Sequence, residues 1–420
     1  MSLVRQNQDT PPGAARRATT GNQLLLAIIL CAVLASLLVA YFGSAHTTPV
    51  AALCHLFASL GSNPLLAMAL AGTVLVHFIG GADRKEILAT VVLGLAMFAG
   101  FVGLGGTFAP YFGARILAAA AYLGIASALV QVLRIPIAPP AARPARLLNL
   151  LAGASLPAFI VLSAPFLHLT VRVHPKTLDP WLYVFDGSLG FQASFAMGRL
   201  LSSITLVRNV SFLAYNGLPL AAALFYAVER RQRQDSWPNI ILLFIAIGAG
   251  GSCLYHLYPA SGPIYLFPST FPFHPPSAAS VALQSVLLPV APRNAIPSLH
   301  LSWALVLWWR SAGLRVWTRA VFAFFLVCTA VATLGLGEHY LIDLVVAVPY
   351  TMAIEAAFCR KWIAAAAAAA MVFLWLALLR FAIPQFQNLP ALSWGLVLAT
   401  LALALLFRYR GVSSGRIRVS

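Results

Sequence analysis

The sequence predicts an all-α, polytopic transmembrane helical bundle of about twelve helices. Three observations predict it. Of 420 residues, 61% are hydrophobic and only 9% are charged, a balance outside that of ordinary soluble domains. The apolar residues fall in runs long enough to span a bilayer. The basic residues crowd into alternate gaps between those runs, as the positive-inside rule requires. A net charge of +17 would also suit a nucleic-acid binder. The arginines and lysines sit in short gaps rather than on one face or tail, so the membrane is the expected partner and nucleic acid is not.

Residues 1–22 are polar and basic and contain Pro and Gly, and read as a cytoplasmic tail. The apolar run that follows has no small-residue cleavage site, so it reads as a first span rather than a removed signal peptide. Spans are expected near 23–43, 64–80, 86–107, 113–133, 147–169, 203–227, 238–257, 298–310, 317–336, 340–358, 362–382 and 391–408. The basic gaps hold Arg84–Lys85, Arg134–Arg146, Arg230–Arg233, Arg310–Arg319, Arg360–Lys361 and the tail Arg408–Arg418. The alternating gaps hold almost no cation, except 170–202, which carries Arg172, Lys176 and Arg199. This alternation puts both termini in the cytoplasm and the other set of gaps outside. Lysine occurs only at 85, 176 and 361 against many arginines, a bias that suggests a GC-rich bacterium and its inner membrane. Segment 170–202 reads as an amphipathic helix at the interface. Segment 258–297, rich in Pro, Ser and aromatics, reads as a folded functional loop. The run Ala364–Ala370 is helix-forming material without chemistry.

Cys31, Cys54, Cys253, Cys328 and Cys359 form no CxxC pair and read as small apolar residues. His46, His55, His77, His168, His174, His256 and His274 read as packed or interfacial. Asn209–Ser211 matches a glycosylation sequon but lies within a span and is dismissed.

Two stretches stand apart. In Arg293–His300 (RNAIPSLH), Pro297 and Ser298 suit the start of a helix, which exposes backbone N–H groups toward an anion. His300 then falls in the first turn, and Arg293 can offer a bidentate fork to phosphate. In Gly337–Asp343 (GEHYLID), His339 and Asp343 are four apart and share a helix face. An aspartate there can take the Nδ1 proton of His339 and leave Nε2 as a lone-pair nucleophile. Both histidines fall at outward helix ends. Together they make a phosphoryl-transfer site, with His339 attacking phosphorus and His300 serving the leaving and entering oxygens. No metal and no cofactor are implied.

PSLH followed by GEHYLID resembles the second and third signatures, PSxH and SR-x5-HxxxD, of the type 2 phosphatidic acid phosphatase (PAP2) superfamily. The chain is most similar to the inositol phosphorylceramide synthase-like branch. That likeness rests on Asp179–Leu182 with Asp186–Gly190, on Tyr258–Pro263 and on the Gly-Glu-His-Tyr around His339. The resemblance covers about 147–360 and implies a six-helix catalytic core. The organisation is then a tail (1–22), a four-helix region (23–146), the core (147–360), and two helices with a basic tail (361–420). It also implies His339 as nucleophile, Asp343 as its partner, His300 as acid/base and Ser298 as a phosphate contact. The family's SR positions are here Ala332 and Thr333, and the K-x6-RP signature is not recognisable. Arg293 and Arg208 are therefore the expected phosphate contacts, and Asp186, from the branch pattern, is a further expected substrate contact with a turn or cap role as its alternative. The implied substrate is a phospholipid or other phosphorylated lipid at the extracytoplasmic face, with an alcohol head group as acceptor. Hydrolysis of a lipid phosphate or polyprenyl pyrophosphate is the alternative, and a transporter or scaffold without activity ranks below both.

Overall fold

The computed structural model describes residues 60, 62–232 and 238–413. The expected tail 1–22, the first span 23–43, Cys31, Cys54, His46, His55 and the basic tail past 413 lie outside the described residues.

Helices dominate. In chain order they are α1 (Pro64–Ile79), α2 (Arg84–Gly103), α3 (Ala114–Arg134), α4 (Arg143–Val173), α5 (Asp179–Ser188), α6 (Ala193–Ser203), α7 (Thr205–Asn216) and α8 (Leu218–Gln232). They continue as α9 (Ile240–Leu257), α10 (Pro263–Leu266), α11 (Leu299–Arg310), α12 (Val316–Gly335), α13 (Leu341–Phe358), α14 (Trp362–Phe381), α15 (Ile383–Asn388) and α16 (Pro390–Ser413). Among the described residues, eight helices are long and apolar enough to cross a membrane. The protein is an all-α integral membrane protein.

Local chemistry starts these helices. The Asn63 side chain accepts from the Leu66 N–H ahead of α1, and Asp83 with Glu86 forms a capping box on α2. Asn239 caps α9 through the Leu242 N–H. Each cap satisfies a donor that the helix itself leaves open.

Two expectations are corrected. The span 203–227 is two helices, α7 and α8, bent by 56° at Gly217. The short span expected at 298–310 is found as the 12-residue α11, about 18 Å long, followed by a 3-10 turn at Ser311–Gly313. Its neighbours include α9, α12 and α13. Segment 170–202 is not one helix but holds two short ones, α5 and α6. Leu182, Tyr183, Val184 and Phe185 on α5 are all at 0% exposure, because the aromatic-rich run serves as core.

The bundle has two chemically different ends. At one, buried Glu86 receives Arg134 Nε at 3.2 Å and Arg146, and Arg310 reaches Glu229 at 3.7 Å and Glu355 at 4.0 Å. Along α11, His300 lies about 15 Å from Arg310. The histidines therefore occupy the end opposite these ion pairs.

Above the histidines, segment 258–297 is folded down. A two-residue antiparallel ladder pairs Lys176–Thr177 (β1) with Val286–Leu287 (β2). Phe267 packs on Tyr183 at 4.5 Å between centroids, and Phe271 on Phe195 at 5.0 Å. His174, just past α4, lies 3.2 Å from His256, Nε2 to Nδ1. Burial lowers the His174 pKa, and His256 and the Arg293 charge lower it further. Below the unfolded value of about 6.5, the unfolded chain binds this proton more readily than the folded one. The stabilisation is therefore present above that pH and is lost as pH falls through the folded pKa. The thermal midpoint in detergent is expected to fall between pH 7 and pH 5, with a shallower fall for His174→Gln.

Candidate active site

The start of α11 builds one half of the site. Ser298 is the N-cap, its hydroxyl accepting from the Leu301 N–H at 3.4 Å, and Pro297 precedes the cap. Helix geometry leaves the N–H groups of Leu299 and His300 without intrahelical acceptors. His300, on the first turn, is stacked on Tyr215 at 3.8 Å between centroids and 17° between planes. Trp303 meets it edge-on at 5.4 Å.

The turn before α13 builds the other half. His339 is 1% exposed. Its Nδ1 lies 2.7 Å from the Ala295 carbonyl and 3.4 Å from Asp343 Oδ2. A carbonyl and a carboxylate can only accept, so Nδ1 carries the proton and Nε2 keeps its lone pair. Asp343 was the expected partner, but the shorter contact is to Ala295. Asp343 Oδ2 also accepts from the Tyr340 N–H at 2.8 Å, tying it to the backbone beside His339. Ser194 Oγ donates to the His339 carbonyl at 2.7 Å, and the Ser298 N–H donates to the Asp343 carbonyl at 3.3 Å. These bonds stitch the two motifs together.

The aspartates of α5 are seven apart, two turns along one face. Asp186 receives the Leu341 and Ile342 N–H groups at 2.7 and 3.2 Å. Of its two expected roles, substrate contact and cap, the structure shows the cap on α13, with both oxygens accepting. Asp179 receives the Ser261 N–H at 3.1 Å, the Gly262 N–H at 2.7 Å and the Tyr340 hydroxyl at 2.9 Å. Burial raises the Asp179 pKa against these donors. Burial pushes Asp186 up to about 8, with the Asp343 charge adding to it.

Arg293 is also corrected. It is fully buried, and each of its five N–H directions meets an acceptor. Nε donates to the His174 carbonyl at 2.8 Å, and Nη2 to the Pro175 and Leu288 carbonyls at 2.9 and 2.6 Å. Nη1 donates to the Ala291 carbonyl and to Ser261 Oγ. No donor is left for a phosphate. Arg208 is exposed on the first turn of α7, and no contact joins it to either histidine. Ala332 and Thr333 are buried and supply no cation. Among the described residues no group of three or more His, Cys, Asp or Glu could hold a metal ion, and Cys253, Cys328 and Cys359 are free thiols.

Sequence reasoning missed Ala295, Tyr215, Ser194 and Tyr340. The seven-residue spacing of Asp179 and Asp186 was a usable signal for a shared clamp. A lone Tyr215 in an apolar run carried none.

Residues 180–357 match the family model described as PAP2 superfamily. This is the family whose signatures the two histidine motifs resemble. No curated protein and no solved structure matches the chain. The PAP2 match takes in Asp186, the folded segment 258–297 and both histidines, and leaves out α1–α4 and α14–α16.

Close backbone approach holds the site. Gly262 has φ +122°, and a Cβ there would stand 2.5 Å from the Glu338 carbonyl carbon and oxygen. Gly262→Ala is expected to push the Glu338–His339 turn away and lower turnover by about 10²-fold. Steady-state kinetics on protein of parental monodispersity checks it.

Proposed function

We propose that the protein transfers a phosphoryl group from a phosphorylated lipid through a covalent intermediate on His339. The observation that carries this reading is the locked Nδ1 of His339, which leaves Nε2 as a nucleophile beside the first turn of α11. The PAP2 match supports phosphatase-type chemistry on a lipid phosphate.

In the first step Nε2 attacks phosphorus and the bond to the leaving oxygen breaks. His300 gives that oxygen its proton. The Ala295 carbonyl and Asp343 stabilise the charge that forms on the His339 ring. In the second step His300 takes a proton from the acceptor hydroxyl, whose oxygen attacks phosphorus and frees His339. With Arg293 committed elsewhere, the N–H groups of Leu299 and His300 and the positive end of α11 bind the equatorial oxygens.

The acceptor separates two outcomes. The likeness of Asp179–Gly190 and Tyr258–Pro263 to the inositol phosphorylceramide synthase-like branch favours an alcohol head group and phosphotransfer. The PAP2 match alone favours water and hydrolysis. The alternation of basic gaps supports a site at the extracytoplasmic face. Supplying a radiolabelled lipid phosphate with and without an alcohol acceptor tests the reading. Labelled product found only with the alcohol means transfer, and free phosphate means hydrolysis. Neither product, or His339→Ala matching the parent, overturns the enzyme.

A further inference from the structure

Glu338 and Tyr215 have no part in the steps above, yet they join the two histidines. Among the described residues, the His300 ring receives no hydrogen bond. It is held by the Tyr215 face at 3.8 Å and the Trp303 edge at 5.4 Å. His339, by contrast, is oriented through Nδ1. An acid/base held by stacking alone keeps both ring nitrogens open to proton transfer, but its aim depends on whatever holds the stacking partner. Tyr215 is 6% exposed, near the end of α7, just before the 56° bend. Its hydroxyl donates to Glu338 Oε2 at 3.0 Å. Glu338 immediately precedes His339, in the turn that Gly262 presses against. A continuous set of contacts thus runs from the nucleophile's turn through Glu338 and the Tyr215 hydroxyl to the His300 ring.

We propose that Tyr215 and Glu338 are a positioning pair that aims His300 at the oxygen it must protonate. The proposal rests on the phosphohistidine reading. Glu338 fixes the tilt of Tyr215, and Tyr215 fixes the plane of His300. Neither exchanges a proton with substrate. In the step they serve, the phosphorus–oxygen bond breaks, the phosphorus–Nε2 bond forms, and the proton on His300 goes to the departing oxygen. An alkyl leaving group needs that proton, whereas a nitrophenolate leaves without it.

The leaving-group dependence of kcat/KM therefore tests the pair. Phosphatidic acid expels an alkoxide and 4-nitrophenyl phosphate a stable phenolate. On phosphatidic acid, Tyr215→Leu is expected to lose about 10–100-fold, and on 4-nitrophenyl phosphate less than about threefold. Tyr215→Phe keeps the stacked ring and loses the tether. It and Glu338→Ala are each expected to lose about 3–10-fold on phosphatidic acid, and the double variant no more than either single. Glu338→Gln keeps an oxygen acceptor and is expected within about twofold of the parent. Equal losses on both substrates, no loss on phosphatidic acid, or additive losses in the double variant would overturn the pair. Tyr215→Phe and Glu338→Ala keep the test open where Tyr215→Leu does not fold. His339→Ala is the control. If it turns over like the parent, the phosphohistidine reading fails. If it is inactive while Tyr215→Leu equals the parent, only the positioning pair fails.

Discussion

His339→Ala is expected to lower phosphoryl transfer by on the order of 10⁴-fold or more, because it removes the atom that bonds to phosphorus. The size of the effect follows from how the ring is held. Nδ1 faces the Ala295 carbonyl at 2.7 Å and Asp343 Oδ2 at 3.4 Å, so no rotation offers the same lone pair from another group. Acid–base support alone gives about 10²–10⁴-fold, and a lost nucleophile also removes the covalent path. The two histidines are separable by product. With 4-nitrophenyl phosphate, which needs no proton on its leaving oxygen, His300→Ala is expected to release one equivalent of nitrophenol in a burst and then stall. The stalled protein should carry base-stable, acid-labile phosphate. His339→Ala should give neither burst nor label. A burst from His339→Ala would place the nucleophile elsewhere. Asp343→Asn is expected to fall between them, since Ala295 still orients the ring while the buried negative charge is gone.

The parts of this site that were legible in the sequence are those set by short-range spacing. His339 and Asp343 are one helical turn apart, and Ser298 marks a helix start two residues before His300, so residue type and interval sufficed. The spans were legible for the same reason, because run length and charge alternation are local. The bend between α7 and α8 was not, since Gly217 and Pro219 within a long apolar run fit a continuous span as well as a change of direction. The roles of Arg293 and Asp186 were not legible either. An arginine before a helix N-terminus and an aspartate outside a membrane look alike whether they face substrate or backbone. What decides is where distant chain passes: the carbonyls of His174 and Pro175 for Arg293, and the α13 amides for Asp186. Such acceptors leave no trace in side-chain identity, as Ala295 shows most clearly. Its contribution to the nucleophile is a backbone oxygen that any residue would carry.

Arg293→Met is expected to cost about 3 kcal/mol of stability or more, and to abolish activity by a route other than lost phosphate binding. The guanidinium joins four backbone carbonyls and Ser261 Oγ across three stretches of chain: His174–Pro175, Ser261, and Leu288–Ala291. Methionine fills the volume but supplies no donor, so buried carbonyls are left without partners, and each orphan is penalised in full. Lysine has three donors on a single nitrogen and cannot reach acceptors spread around a planar fork, so Arg293→Lys is expected to be only a partial repair. The two possible roles of Arg293 make opposite predictions. A phosphate ligand would leave the thermal midpoint in detergent near the parent and raise KM. A clasp on the folded segment lowers the midpoint, speeds proteolysis between 258 and 297, and takes turnover down with it. Because Ala295, which orients His339, lies two residues beyond Arg293, loosening the clasp also frees the carbonyl that holds Nδ1. Residual activity in Arg293→Lys should then fall through kcat, with KM near the parental value. A raised KM on a protein of parental stability would return Arg293 to the phosphate.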